Sequence, residues 1–167
     1  SQNRNTISDG VYTISSTLNS NYVLDVNNGS TLNGANIQLY QSNGTQAQLF
    51  KVTHDSQGYV TFTNEKSGKV LDVYNGSCKN GANVWQYNSN NSRAQKWIVR
   101  KEGNSYVIIS ALNSNYVLDL ANGKARNGSN IQISSYNGAN VQKWSISKYI
   151  SKEEKLNTLA SQNASAL

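Results

Sequence analysis

Short runs of β-branched, aliphatic and aromatic residues alternate with Asn-, Gly- and Ser-rich segments along almost the whole chain. In the first third the runs are Val11 to Ser15, Tyr22 to Val26, Asn36 to Tyr40 and Leu49 to Thr53. Each has the length and composition of a β-strand. Turn chemistry separates them. Asn-Gly pairs stand at 28–29, 33–34 and 43–44, at 75–76 and 80–81, and at 122–123, 127–128 and 137–138. They fill eight of nine equivalent slots, and the ninth holds Asn90-Asn91. Asn and Gly both tolerate positive φ, so these slots predict hairpins and tight turns. The chain has no proline to interrupt a strand.

A longer period overlies the alternation. NSNYVLD occurs at Asn19 to Asp25 and again at Asn113 to Asp119, and the middle copy reads KSGKVLD, Lys66 to Asp72. One constant offset of 47 residues links Asp25, Asp72 and Asp119, then Gly34, Gly81 and Gly128, then Tyr12, Tyr59 and Tyr106. Apolar positions recur at the same spacing: Leu24, Leu71 and Leu118; Ile37, Val84 and Ile131; Phe50, Trp97 and Trp144. A fixed period without insertions is one supersecondary unit used three times. The four strands of one copy cannot bury their apolar face alone, whereas three copies around an axis can share a core. Twelve short strands with pseudo-threefold symmetry therefore predict an all-β fold, a closed barrel with hairpin caps of the β-trefoil type. Closure also removes most exposed strand edges. The copies are expected over residues 10–56, 57–103 and 104–148, after a lead at 1–9. In the tail, 149–167, Ser151 and Glu154 have the spacing of a capping box, and Leu156, Leu159 and Ala160 share one face of a short helix. A frayed linker fits the tail equally well, because an isolated helix of this length is marginal.

Composition narrows the classes. With 167 residues the chain suits one domain with its own core. No apolar run is long enough to span a membrane as a helix, so membrane insertion is not expected. The absence of Met points to a processed product or a piece of a longer protein. Cys78 is the single cysteine, which excludes an internal disulfide framework, and its counterparts Thr31 and Ala125 favour an incidental small side chain. The formal net charge is +6, unevenly placed: Lys51 is the only Lys or Arg between Asp9 and Asp55, whereas the second copy carries Lys66, Lys69, Lys79, Arg93 and Lys96. Such a surface suits acidic partners, among them sialylated glycans and anionic polymers, although ordinary solubility is the plainer reading. No dense basic run or nucleic-acid motif is present, so nucleic acid is not an expected partner.

The triplets QLF, QKW and QKW, at Gln48 to Phe50, Gln95 to Trp97 and Gln142 to Trp144, resemble the Gln-x-Trp repeat of ricin-B-type lectins. Each copy also carries Leu-Asp-Val/Leu and Asn-Gly-Ala/Ser-Asn. The combined pattern is similar to bacterial ricin-B-like carbohydrate-binding domains and extends over all three copies. That resemblance implies a sugar site in each copy, a secreted or surface location, and galactose- or N-acetylgalactosamine-type ligands.

Three of the nine acidic residues, Asp25, Asp72 and Asp119, stand between apolar strand residues, where a carboxylate has no packing role. Two readings stay open. Each carboxylate orders the following Asn-rich loop by accepting turn amides, or it accepts hydrogen bonds from adjacent sugar hydroxyls. The resemblance favours the second. It also places an aromatic residue fifteen positions on, where a ring can meet the C–H face of a pyranose; these positions are Tyr40, Tyr87 and Ser134. Ser134 cannot stack, and Tyr136 would need a local shift to replace the ring. Gln38 and Gln132 fill a polar slot beside the ring, which in the second copy is Trp85, a further stacking face or a packing change. Asn43, Asn90 and Asn137 can donate to a hydroxyl or serve the turn alone. Gln48, Gln95 and Gln142 join the site mainly as framework that braces the Asp loop. Related lectins often carry Asn just before this Gln, where the present chain has Ala47, Ala94 and Val141. The first copy is therefore the most complete, the second follows, and the third is doubtful.

Non-catalytic carbohydrate binding, targeting a larger protein to glycans, is the first reading. A protein-interaction module on the same scaffold is the alternative, since fold does not settle function. Catalysis ranks last. His54 is the single histidine, its counterparts are Lys101 and Ser147, and no acid–base partner is evident near it in the sequence. No metal-ligand cluster or cofactor motif is visible, and no cofactor is expected.

Overall fold

The computed structural model describes residues 6–166. Residues 1–5 of the expected lead and Leu167 of the tail lie outside the described residues. The first copy forms β1 (Gly10–Ser16), β2 (Asn19–Val26), β3 (Ile37–Gln41) and β4 (Phe50–His54). The second forms β5 (Val60–Asn64), β6 (Val70–Val73), β7 (Ala82–Tyr87) and β8 (Trp97–Glu102). The third forms β9 (Ser105–Ser110), β10 (Tyr116–Leu120), β11 (Ile131–Ser135) and β12 (Trp144–Lys148). These strands match the predicted runs to within a few residues at each end.

Pairing closes in two layers. β1, β4, β5, β8, β9 and β12 pair antiparallel around a complete ring, each with two neighbours, and make the barrel. The hairpins β2–β3, β6–β7 and β10–β11 form the cap over one end. Their inner strands meet through β7–β11 pairing and the single bridges Asn36–Trp85 and Gln38–Asn130.

At that meeting point Asn36, Asn83 and Asn130 form a closed cycle. Asn36 donates to Asn130 at 2.8 Å, Asn130 to Asn83 at 2.9 Å, and Asn83 to Asn36 at 2.8 Å. An amide has an oxygen acceptor and two N–H donors, so three amides around the axis pair every oxygen with one N–H of a neighbour. Their 47-residue spacing reflects this single structural use.

The core is aliphatic and aromatic. Phe50, Trp97 and Trp144 are fully buried, with Leu24, Leu71 and Leu118 beside them. The indole N–H of Trp97 donates to the Leu71 carbonyl at 3.4 Å and that of Trp144 to Leu118 at 3.2 Å, tying barrel to cap. Phe50 has no such donor, so the first copy relies on packing alone at this joint.

The turns after the aspartates use the predicted chemistry. Asn28, Asn75 and Asn122 take left-handed φ of 57°, 54° and 62°, and a glycine with positive φ follows each. Two consecutive left-handed residues reverse the chain sharply, which is why Asn-Gly recurs there. Beyond the barrel, α1 (Lys152–Ala166) opens with the predicted capping box: Glu154 N–H donates to Ser151 Oγ at 3.0 Å, and Ser151 N–H to Glu154 Oε2 at 3.3 Å. No residue of α1 is buried.

Candidate functional site

Each aspartate lies near the end of a cap strand and faces a cross-strand partner: Asp25 opposite Gln38, Asp72 opposite Trp85, Asp119 opposite Gln132. The partner donates to one carboxylate oxygen. Gln38 Nε2 reaches Asp25 at 3.1 Å, Trp85 Nε1 reaches Asp72 at 2.9 Å, and Gln132 Nε2 reaches Asp119 at 3.0 Å. Trp85 is thus a substitute N–H donor in a glutamine slot, a role that neither stacking nor packing anticipates.

The other carboxylate oxygen is held by the Gln of Gln-x-Trp. Gln48 reaches Asp25 at 2.8 Å, Gln95 reaches Asp72 at 2.7 Å and Gln142 reaches Asp119 at 3.0 Å. The same amide nitrogen donates to a backbone carbonyl, of Gln41, Asn88 or Ser135. Its oxygen accepts the backbone N–H of Asn43, Asn90 or Asn137 at 2.8–2.9 Å. These glutamines are 1%, 2% and 0% exposed, so their place is framework and they offer no surface to a ligand. Every buried polar atom in this frame is paired, as a folded interior requires.

Asn43, Asn90 and Asn137 take the turn role. Each side-chain oxygen accepts a backbone N–H two residues on, from Thr45, Ser92 or Ala139. That Asx turn uses the oxygen and leaves the side-chain NH₂ as the group suited to donation. Asn43 and Asn90 line open pockets of about 390 and 440 Å³, built over Asp25 and Asp72 respectively.

The aspartates are 5–7% exposed, whereas Tyr40 and Tyr87 are 38% and 37% exposed. The first two copies therefore present a recessed carboxylate beside an open aromatic ring. An ionised carboxylate has about four lone-pair sites, and the frame occupies two. The remainder can accept hydroxyl donors. In the second copy Tyr87 stacks on Trp85 at 5.4 Å, and Tyr74 meets Trp85 edge-on at 4.7 Å, making a three-ring wall. Burial pushes the Asp72 carboxyl above its ordinary range, opposed by the hydrogen bonds from Gln95 and Trp85.

The third copy keeps the frame and loses the ring. Ser134 hydrogen-bonds Asn80 of the second copy at 3.2 Å. Tyr136 does not replace it. Its hydroxyl donates to Glu102 and its ring lies under Arg100, 5.2 Å from the guanidinium carbon, in a separate cleft with Ser114 and Asn115.

Sequence reasoning missed contributions that cross between copies. Lys66 of the second copy lines the first pocket, and Leu112 of the third lines the second. A signal existed, since Lys66 replaces the Asn that fills its slot at Asn19 and Asn113. His54 does have a carboxylate partner, contrary to the sequence reading: its Nδ1 lies 2.5 Å from Asp9 Oδ1. The pair lines neither pocket and ties the chain before β1 to β4. Cys78 is half-buried, and burial pushes its thiol up. Among the described residues no three His, Cys, Asp or Glu side chains cluster as a metal site, and no helix is long and apolar enough to cross a membrane.

Comparison with known proteins places the fold in a family. A family model described as "Ricin-type beta-trefoil lectin domain-like" matches residues 3–87, 54–134 and 93–165, and the chain belongs to that family. Among solved structures, a designed threefold-symmetric protein, ThreeFoil, superposes with a TM-score of 0.80 at 32% identity, over 84% of this chain and all of the design. An exo-β-1,3-galactanase from Clostridium thermocellum matches with a TM-score of 0.80 at 30% identity, over 84% of this chain and 30% of the galactanase. The present chain thus spans under a third of that enzyme's length. A ricin B-like lectin from Macrolepiota procera, solved with lactose, matches with a TM-score of 0.74 at 20% identity, over 86% of this chain and 99% of the lectin. That last likeness is one of fold. Comparison with curated protein sequences gave no match.

Proposed function

We propose that the chain is a non-catalytic lectin domain that binds galactose- or N-acetylgalactosamine-type glycans through its first and second copies. The observation that carries this reading is the pairing of a recessed, half-satisfied carboxylate with an open tyrosine ring, Asp25 with Tyr40 and Asp72 with Tyr87. Vicinal hydroxyls suit the free lone pairs of the carboxylate, and the apolar face of a pyranose suits the ring. Asn43 and Asn90 add an N–H donor at the pocket edge, in place of the Asn that related lectins carry at the Ala47 and Ala94 positions. The galactose-type choice draws on the family and on the galactanase that bears a similar domain.

Each shallow site is expected to bind in the millimolar range, about −4 kcal/mol. Two sites on one rigid body gain avidity on a multivalent surface. That property suits a module that carries an attached protein, secreted or at a cell surface, onto glycans. Retention on immobilised lactose tests the reading. The wild-type chain and Asp119→Asn are expected to be retained, and the Asp25→Asn/Asp72→Asn double variant to elute with the void. Equal retention of all three would overturn it.

A further inference from the structure

The two copies that keep an aromatic ring also keep a cation at the pocket rim, drawn from different slots. In the first it is Lys66, reaching across from the second copy; a Cβ at Gly29 would lie 2.6 Å from its ammonium, so the glycine there leaves room for the side chain. In the second it is Arg93, whose guanidinium lies 5.8 Å from the Tyr59 ring centre and whose Nη1 lies 3.4 Å from the Ala111 carbonyl. In the copies where these cations are missing, the Lys66 slot holds Asn19 and Asn113, and the Arg93 slot holds Gln46 and Asn140. The third copy has neither ring nor cation in these slots.

Among the described residues neither Lys66 nor Arg93 forms an ion pair; the paired cations are His54, Lys96 and Arg100. The floor aspartate is occupied by neutral N–H donors and does not neutralise the rim. Each pocket therefore presents an acceptor floor and a donor rim of opposite charge. A neutral sugar meets the floor, the ring and the Asn donor but brings no charge for the rim to pair with. A sugar whose hydroxyls meet the aspartate and whose anionic substituent reaches the rim uses both, through charge-assisted hydrogen bonds.

Resting on the lectin reading above, we infer that the ligand class is an anionic glycan: a galactose-type residue bearing or adjoining a sulfate or carboxylate that pairs with Lys66 in the first copy and Arg93 in the second. The two sources of negative charge share one chemistry here, and the experiment separates them.

The test is a calorimetric titration of the full chain with lactose, a sulfated lactose and sialyllactose, at low and high salt. The wild type is expected to bind at least one charged sugar about two- to fivefold tighter than lactose, as for a partly exposed charged contact. The gain is expected to shrink with salt. Whichever charged ligand shows it identifies the anion. In Lys66→Asn/Arg93→Gln, which restores residues the chain uses in those slots, the charged-to-neutral affinity ratio is expected to fall to about one. Salt dependence in the wild type gives an answer even if the variant folds poorly. Lactose binding with no preference for either charged sugar would overturn this inference alone. Binding of none of the three would overturn the lectin reading itself.

Discussion

The first and third copies share a fold and a polar frame, yet only the first sets an exposed tyrosine ring in the slot fifteen residues after its aspartate. Around Asp25 and Asp119 the same four hydrogen bonds recur: cross-strand Gln to Asp, buried Gln to Asp, buried Gln to a backbone carbonyl, and Asn N–H to buried Gln. What differs lies outside the frame, Tyr40 against Ser134 and Lys66 against Asn19. The frame is thus a folding element in its own right. It fixes the loop after each cap hairpin whether or not a sugar follows. On the reading proposed above, the threefold-repeated aspartate marks where a site can form, and the ring and rim distinguish the copies.

Breaking the frame in the third copy should cost the most. Gln142→Ala leaves Asp119 Oδ2, the Ser135 carbonyl and the Asn137 N–H without their buried partner. Urea unfolding is expected to show a loss of about 3 kcal/mol, since three buried polar groups lose a partner at once, although Gln132 still holds Asp119. Lactose binding by the folded fraction should persist.

The second comparison sets the first copy against the second. Asp25→Asn can be accommodated, because the half-exposed Gln38 amide can rotate and offer its oxygen to the new NH₂ group. Trp85 has only a donor. In Asp72→Asn the new NH₂ must therefore face Gln95, whose rotation would strip the Asn90 N–H of its acceptor. Asp72→Asn is expected to destabilise by about 1 kcal/mol more than Asp25→Asn in the same denaturation assay. Equal costs would show that the second frame relaxes in some other way.

A gain of function sharpens the contrast. Ser134→Tyr places a ring on β11 where β3 has Tyr40, opposite Val117 as Tyr40 is opposite Val23. It gives up one hydrogen bond, to Asn80. Lactose is then expected to perturb amides around Asp119, which it leaves unmoved in the wild type. No new shifts would mean the third frame differs in more than its ring.

The smallest effect concerns pH. Burial raises the Asp72 carboxyl pKa in the folded chain. A raised folded-state value means the protonated form is favoured by folding, and this contribution is lost as pH rises through that value. Hydroxyl binding needs the ionised form. Binding at the second copy should therefore fade, on acidification, at a higher pH than an ordinary exposed aspartate would give. Carbon-detected titration of the Asp72 carboxyl checks the direction, and a value at or below the ordinary range would contradict it.

Much of this was legible in the chain. The 47-residue period and the Asn-Gly slots specify strand order, turns and barrel closure, because each is a local preference repeated without conflict. The bracing role expected of Gln48, Gln95 and Gln142 is the one the hydrogen bonds show. Contacts that cross between copies were not legible. The slot change marks Lys66 as unusual, but nothing local indicates that it serves Asp25's pocket, that Asn36, Asn83 and Asn130 close a ring on the axis, or that Asp9 meets His54. Trp85 misled for a different reason: its indole N–H does a glutamine's work, and a large ring invites a stacking interpretation first. Tyr136, close to Ser134 in sequence, lies past the end of β11 and is drawn off by Glu102 and Arg100.

The central claim, that two of three similar frames carry a sugar site, is tested most directly by a residue-resolved amide NMR titration of the wild-type chain with lactose. The account predicts shifts clustered around Asp25, Tyr40 and Asn43 and around Asp72, Tyr87 and Asn90, with Asp119, Ser134 and Asn137 unmoved. Comparable shifts in all three copies, or shifts confined to the third, would contradict it.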